Sequence, residues 1–301
     1  MVLERGAVDV IINVILHVLL ALLALMCLLP FIHVAAVSLS EITAVSTHKV
    51  GFWPEGFNLD NYRYIVMSDR TFLRCAGVSV LRVLVGVSLG LLITVVTAYP
   101  LSRDNIHMPG RTAIKTLMIF GMMFSAGFIP TYLSLNNLHL IDKFAVLVVP
   151  GAFNIFNTIL VMNYFRGLPN ELYESAALDG ANHFQVLVSI FLPLSKPVLA
   201  TVTLFSAIGH WNSWFDGYIY IKDVDRWPLQ SYLYGRVTSK ILEKMAGREA
   251  QHGASGESLF NVTPEGLSNA MILVAAIPIL LAYPFLQRYF VSGLTLGAIK
   301  E

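Results

Sequence analysis

The sequence predicts an all-α, polytopic membrane protein with six transmembrane helices, and three observations carry that expectation. Of 301 residues, 56% are hydrophobic and only 13% charged, with a mean hydropathy of +0.67; a soluble domain of this length needs far more charge to cover its core. The apolar residues fall in long blocks separated by polar segments, and six blocks reach or approach the roughly 20 helical residues that a hydrocarbon layer requires. The balance of 20 Lys and Arg against 19 Asp and Glu contains no concentrated basic patch, which argues against a nucleic-acid partner.

The first block, roughly Ile11 to Val37, runs through LHVLLALLALMCLLPF behind MVLERGAVD. It is longer than the apolar core of a secretion signal and lacks a basic start, so a retained helix is expected. The second, Ala76 to Leu101, contains Arg82 at a depth where an ion is costly, which predicts that this side chain faces protein or reaches toward a boundary. In the third, Ala113 to Leu133, the methionines of GMMFSAG suit adaptable packing and Pro130 is expected to introduce a bend. The fourth, Phe144 to Tyr164, carries Asn154, Asn157 and Asn163; the first two share a face, and such amides either join helices or meet a polar solute. The fifth and sixth run from Pro197 to Ile221 and from Asn269 to Leu286. Cys27 and Cys75 lie in apolar blocks rather than in a paired framework and are expected to be inert, buried thiols.

Six crossings put the long segments 38–75 and 222–268 and the short segment 134–143 on one side, and both termini and the link from Ser102 to Thr112 on the other. The link and its flank carry Arg103, Arg111 and Lys115, against Lys143 alone at the opposite short connection, so the side with the termini is expected to be cytoplasmic.

On that side lies ELYESAALDGANHFQVLVSIFLPLSKP, an acidic, alanine-rich, glycine-broken stretch from Glu171 to Pro197. Asn170 is placed to cap a helix starting at Glu171, with Glu174 in its first turn, where exposed amides favour negative charge. Leu172 and Ala176 share one side, and Tyr173 and Ala177 a neighbouring one. Asp179-Gly180 marks a turn; a second short helix follows near Asn182 with Phe184 and Leu187, and Pro193 and Pro197 suit a bent entrance to the next membrane segment. Three readings of this spacing stand: an interfacial helix on lipid, a docking element and a catalytic loop. The acidic and small residues argue against membrane lipid as the sole partner.

Glu174, Ser175, Ala176, Gly180, Ile190, Leu192 and Pro193 resemble, in register, the EAA signature of bacterial binding-protein-dependent ABC importer permeases, with Ser175 where the pattern has alanine. Asp179 and Ala181 fit the DGA form seen in sugar permeases. HWNSWFDGYIYI, from His210 to Ile221, and FLQRYFVSGLTLGAIKE, from Phe285 to Glu301, are similar to later segments of the maltose-type permeases, and the subgroup most resembled handles complex oligosaccharides such as plant-polysaccharide and alginate fragments. The resemblance implies the type I ABC importer permease fold: one transmembrane domain over residues 1–301, a cytoplasmic coupling region at 165–196 and an external loop at 222–268. It implies a bacterial inner or plasma membrane location with both termini and the EAA loop cytoplasmic. The implied partners are a second homologous permease, two ATP-binding cassette ATPases and an external or periplasmic solute-binding protein. ATP and Mg would belong to the ATPases, no cofactor or metal to this chain, and the sequence has no GxxxxGK[ST] phosphate loop. Glu171, Tyr173, Glu174, Ser175, Ala176, Ala177, Asp179, Gly180, Ala181 and Phe184 would form the ATPase-coupling surface, with Glu174 near basic residues of the ATPase, and Gly293 to Lys300 would lie close to the ATPases.

For the translocation pathway, the candidates are Asn154, Asn157, His210, Trp211, Asn212, Trp214, Asp216 and Tyr218. On one continuous fifth helix, Trp211, Trp214, Phe215 and Tyr218 recur at spacings of three and four, offering rings to sugar faces beside the polar Asn212 and Asp216. Packing in an aromatic belt, or contact with the binding protein, are the alternatives. Asp216 is expected to face water, protein or the path. His210 and Asp216, six residues apart, do not form an evident catalytic pair or metal site on a helix. The competing function is an integral membrane enzyme acting on a lipid or sugar, but no convergent acid, base, nucleophile or metal set accompanies it. The segment YLYGRVTSKILEKMAGREAQHGASGES starts with helical spacing and ends polar and glycine-rich, as a contact surface rather than a separate domain.

Overall fold

The computed structural model describes residues 7–103, 108–245 and 262–298, and its regular elements there are all helical. They divide into two units.

One unit comprises Met1–Arg70 and Arg236–Ala276. Its first helix, α1 (Ala7–Ser38), is apolar all round, and none of its membrane-length window is buried by the described residues. Such a surface belongs in lipid or against another membrane helix. Cys27 is exposed on it, contrary to expectation, because nothing among the described residues packs over that part of α1; Cys75 is buried. At the C-terminal end the chain turns into α2 (Ile42–Ser46) and α3 (Asp60–Met67), and Ala36, Val37, Ala44, Val45 and Val50 form a small core. Asn61 fixes this corner by donating to the Ser38 carbonyl at 2.9 Å, while the Ser38 and Tyr62 hydroxyls meet at 2.8 Å. Gly266 lies so close that a Cβ there would be 2.9 Å from Asn61 Nδ2.

The other unit comprises Thr71–Gly235 and Ile277–Glu301. Helix α4 (Arg70–Ser102) enters it at its second residue and spans about 50 Å at the α-helical rise. The third expected crossing is divided into α5 (Arg111–Met123) and α6 (Phe128–Asn137). The break falls at Phe124–Gly127, not at Pro130: Gly127 has φ +81° and ψ 178°, a conformation essentially restricted to glycine, and Pro130 sits within the first turn of α6, where its missing donor costs little. The fourth block opens as two 3₁₀ turns, Phe144–Leu147 and Val149–Gly151, followed at 44° by α7 (Ile155–Arg166).

Next come α8 (Glu171–Leu178) and α9 (His183–Val186), the latter opened by a capping box between Asn182 and Gln185. A π turn (Leu187–Phe191) and α10 (Leu192–Leu194) lead to α11 (Lys196–Asn212), with an 82° bend at Ser195 between the two prolines that remove backbone donors. The fifth block is not one helix: the chain is non-helical at Ser213 and Trp214 and resumes as α12 (Phe215–Tyr220). Helices α13 (Leu229–Met245) and α14 (Pro264–Ala298) complete the chain. The expected loose run from Gln251 to Ser258 lies outside the described residues, as do Lys300 and Glu301.

Among the described residues, α1 from Ile11, α4 and the Pro264–Ala282 part of α14 are long and apolar enough to cross a membrane; counting each bent pair as one span gives five rather than the expected six. The shortfall is the third block, whose longer half has 13 residues, about 20 Å of helix against a hydrocarbon core of about 30 Å.

Among the described residues, two cores of the second unit lie around its polar interior. In the first, the rings of Tyr99 on α4, Phe165 on α7 and Phe191 on the π turn meet edge to face, with centroids 5.1 to 6.4 Å apart. The second gathers Leu135, Val146, Leu147, Val148, Tyr220 and Ile221. Beside it, Asp142 ties two connections together: its carboxylate accepts from the Lys222 amide at 3.1 Å and from Arg226 Nη2 at 2.7 Å, and its own amide donates to the Tyr220 carbonyl at 2.9 Å. The Lys222 amide and then Arg226 hold the Asp142 carboxyl below the ordinary range. A depressed carboxyl contributes stability above its unfolded pKa, about 3.9, and loses it as pH falls through the folded value. Exchange protection of the Lys222 amide, corrected for intrinsic rates, is therefore expected to persist from pH 7 to pH 5 and to fade below about pH 4.

Candidate functional site

In the second unit a cavity of about 530 Å³ is lined by α4, α6, the 3₁₀ turns before α7, α7 itself, α11 and α12. Its polar wall is built from isolated side chains in otherwise apolar segments. Arg82 on α4 is 3% exposed. It forms a bidentate ion pair with Asp216, the second residue of α12; Nη1 lies 3.1 Å from Oδ1, and Nη2 meets Oδ2. Two charges removed from water require such pairing, since either alone would be strongly disfavoured.

The pair also repairs the helix break. Where α11 ends, Arg82 Nη1 donates to the Ser213 carbonyl at 3.2 Å, and Asp216 Oδ1 accepts from Ser213 Oγ at 2.8 Å and from the Gly217 amide at 3.0 Å. One cation thus takes a freed carbonyl while one anion takes an amide at the start of α12. Beside them stands His210, facing Gly86 so closely that a Cβ there would lie 2.5 Å from Nε2. Asn154 caps α7 by accepting from the Asn157 amide at 3.0 Å, and Asn157 reaches across to Ser206 on α11 at 3.2 Å. The wall thus offers amides, hydroxyls, an imidazole and a guanidinium, the groups that hydrogen-bond a polyhydroxylated solute.

Of the pathway candidates, the structure brings Asn154, Asn157, His210 and Asp216 to this cavity. Trp211, Asn212, Trp214 and Tyr218 are not among its lining residues. The break after Asn212 interrupts the spacing that would align them: Trp214 stacks on Tyr234 at 3.9 Å, and Tyr218 packs against Trp227 and Tyr234 at 5.2 and 5.1 Å. Trp211 is buried and Asn212 exposed. Arg82 is legible in the sequence as a residue needing protein around it, and the signal for its pairing with Asp216 is one lone cation and one lone anion in two different apolar blocks. Ser206 and Thr131, both lining residues, carried no such signal.

A second polar surface lies on α8 and the turn after it. Ala176 is buried, whereas Glu171, Glu174, Ser175, Ala177, Asp179, Gly180 and Phe184 are exposed. Tyr173 stacks on His183, with centroids 5.9 Å apart, and Ala181 donates to the Ala176 carbonyl at 2.9 Å. Gly180 has φ +80°, the left-handed conformation that closes such a helix end. Asn170 does not cap α8 with its side chain. Its Oδ1 instead accepts from Arg103, just past α4, which also donates to the Phe165 and Leu168 carbonyls at 2.8 and 3.1 Å. Arg103 is 2% exposed and lies 4.5 Å above the Phe191 ring. Arg103, counted in the charge bias of the link from Ser102 to Thr112, is thus a buried bracket between α4 and the α7–α8 junction.

Residues 78–296 match the family described as binding-protein-dependent transport system inner membrane component. The chain is 41% identical over 275 residues to Protein LplC of Bacillus subtilis, covering 91% of this chain and 89% of that protein. It is 37% identical over 281 residues to the polygalacturonan/rhamnogalacturonan transport system permease protein YtcP of the same organism, covering 93% and 95%. A solved bacterial ABC transporter involved in the import of the acidic polysaccharide alginate contains a chain that superposes with a TM-score of 0.84 at 31% identity, covering 95% of this chain and 99% of that one. The chain belongs to the binding-protein-dependent ABC importer permeases, a family of multi-pass transport subunits rather than enzymes.

Arg82→Gln leaves Asp216 without its cation and is expected to lower stability by about 3 to 5 kcal/mol. Adding Asp216→Asn, which leaves two hydrogen-bonding amides, should recover most of the loss. Thermal unfolding and chromatographic recovery of the purified protein in detergent check both outcomes.

Proposed function

We propose that this chain is one of two permease subunits of an ATP-driven importer that receives complex, acidic oligosaccharides from a solute-binding protein and passes them through the cavity between α4, α7 and α11. Alginate and pectin fragments are the substrate class. In this reading α5 and α6 together supply the sixth crossing, and residues 1–301 are one permease domain in a bacterial inner or plasma membrane. Both termini and the 165–196 region face the cytoplasm, and 222–268 faces outward. Two ATPase subunits bind ATP and Mg and grip α8, with Glu174 meeting basic groups and Gly180 setting the turn.

One observation carries the reading. The exposed EAA-type surface is bracketed by Arg103 to one end of α4, whose interior presents Arg82 to the cavity. The two arginines are 21 residues apart, about 30 Å along a helix. A displacement of α8 therefore has a helical route to the cavity wall along α4. Support for the sugar class comes from the relatives named for pectic and alginate substrates and from the hydrogen-bonding groups of the wall.

Gly180→Pro is expected to abolish ATPase co-purification and ATP-driven uptake while the chain stays in the membrane, since proline cannot adopt φ +80° and removes the amide that donates to the Ala177 carbonyl at 3.1 Å. Glu174→Lys should weaken recovery of the ATPase less severely, because helical propensity is kept while the proposed charge contact is reversed. Normal co-purification of Gly180→Pro would reject the coupling assignment. In reconstituted complexes with the matching binding protein, uronate oligosaccharides should drive uptake; stimulation by peptides or amino acids alone would reject the sugar class.

A further inference from the structure

The Arg82–Asp216 pair is open to a second role that its structural one does not require. A buried N–H without an acceptor is costly. Arg82 Nε is buried and has no acceptor among the described residues, and Arg103 Nε bears that cost in its bracket as well; what sets Arg82 apart is that it lines the cavity. Asp216 is asymmetric in the opposite sense: without Arg82, its Oδ1 would still hold Ser213 Oγ and the Gly217 amide. Both residues line a cavity large enough for a sugar ring, and Asn154, Asn157, Ser206 and His210 share the wall.

We infer that Arg82 and Asp216 form a carboxylate-exchange site: the carboxylate of a uronic-acid residue in the cavity displaces Asp216 from the guanidinium, and Asp216 stays anchored by the contacts it already makes to Ser213 and Gly217. This rests on the oligosaccharide-importer reading and deepens it by naming the residue that distinguishes acidic from neutral sugars. The guanidinium fork matches a carboxylate bidentately, and no hydroxyl of a neutral sugar reproduces that geometry or charge. Asp216 makes the site fit for passage rather than storage. An uncompensated arginine at low dielectric would hold an acid tightly, whereas an internal competitor lowers the net gain on entry and restores a neutral pair on exit.

The test uses the assembled transporter without its solute-binding protein, so that delivery does not enter the readout. Equilibrium dialysis gives the affinities of labelled tetragalacturonate and of its carboxyl-reduced, neutral counterpart, and the acid-to-neutral affinity ratio is compared among three proteins. The wild type should favour the acid about threefold. Asp216→Asn, which removes the competitor, should raise that ratio about tenfold, and Arg82→Gln combined with Asp216→Asn should bring it to about one. A ratio common to all three proteins, or no binding of either probe to the wild type, overturns the inference. If Asp216→Asn does not fold, the double variant decides, since an unchanged ratio there is fatal. Uptake of the same tetramer with binding protein present tests the underlying reading separately: uptake with an unchanged ratio removes only the carboxylate site, and failure to import any saccharide removes the importer reading as well.

Discussion

Backbone hydrogen bonding inside a membrane is the constraint on which the rest of this structure depends. In hydrocarbon, water cannot satisfy a freed carbonyl or amide, so non-helical backbone survives only where protein groups or a polar cavity take over. The chain departs from helix at Phe124–Gly127, at Ala152–Asn154, at Ser195 and at Ser213–Trp214. At two of these the replacement comes from side chains beside the cavity: Asn154 accepts the Asn157 amide, and Arg82 and Asp216 take up the groups freed around Ser213. Both repairs line the same cavity. The polar wall follows from the helix breaks as much as from any demand of a solute, because the groups that mend the backbone are those left facing the interior.

Helix α4 turns these local repairs into a connected device. It is the longest uninterrupted element of its unit apart from α14, it bears a buried arginine within its length, and another follows its end. Each arginine holds carbonyls of elements distant in sequence, Ser213 in one case and Phe165 and Leu168 in the other. Arginine suits both posts because its donors diverge in a fixed plane and can engage several acceptors at once. Gly86, one turn beyond Arg82, lets α11 approach until the His210 ring occupies the space of a side chain.

The sequence disclosed the fold wherever composition and spacing act locally. The apolar blocks, the glycine turn at 180 and the bent entrance between Pro193 and Pro197 were all legible because each depends on one segment's own backbone chemistry. The interrupted helices were harder. Nothing in GHWNSWFDG forbids helix, and the break at Ser213 depends on partners from α4 more than 130 residues away, so a continuous aromatic face was the natural expectation and an incorrect one. Arg103 belongs to the same case: its sign and its place near a membrane boundary are local, whereas the polar and aromatic socket that holds it is built from distant segments. Asn170 has the composition of a helix cap, yet its carbonyl is claimed by that same arginine. The acidic signature of α8 was readable as a local pattern, and its bracing to α4 was not.

Helix α1 has a different dependence from the rest. With none of its membrane window covered by the described residues, its helical state owes little to tertiary packing and much to the bilayer, which makes it an autonomous insertion unit. Truncating a leucine in that stretch leaves no void to collapse, so the penalty is set by partitioning between water and lipid, a few tenths of a kcal/mol per residue instead of the several lost in a packed core. Sequence drift along this helix is therefore limited mainly by greasiness and length, and any stricter limit on an individual position would report a neighbour beyond the described residues.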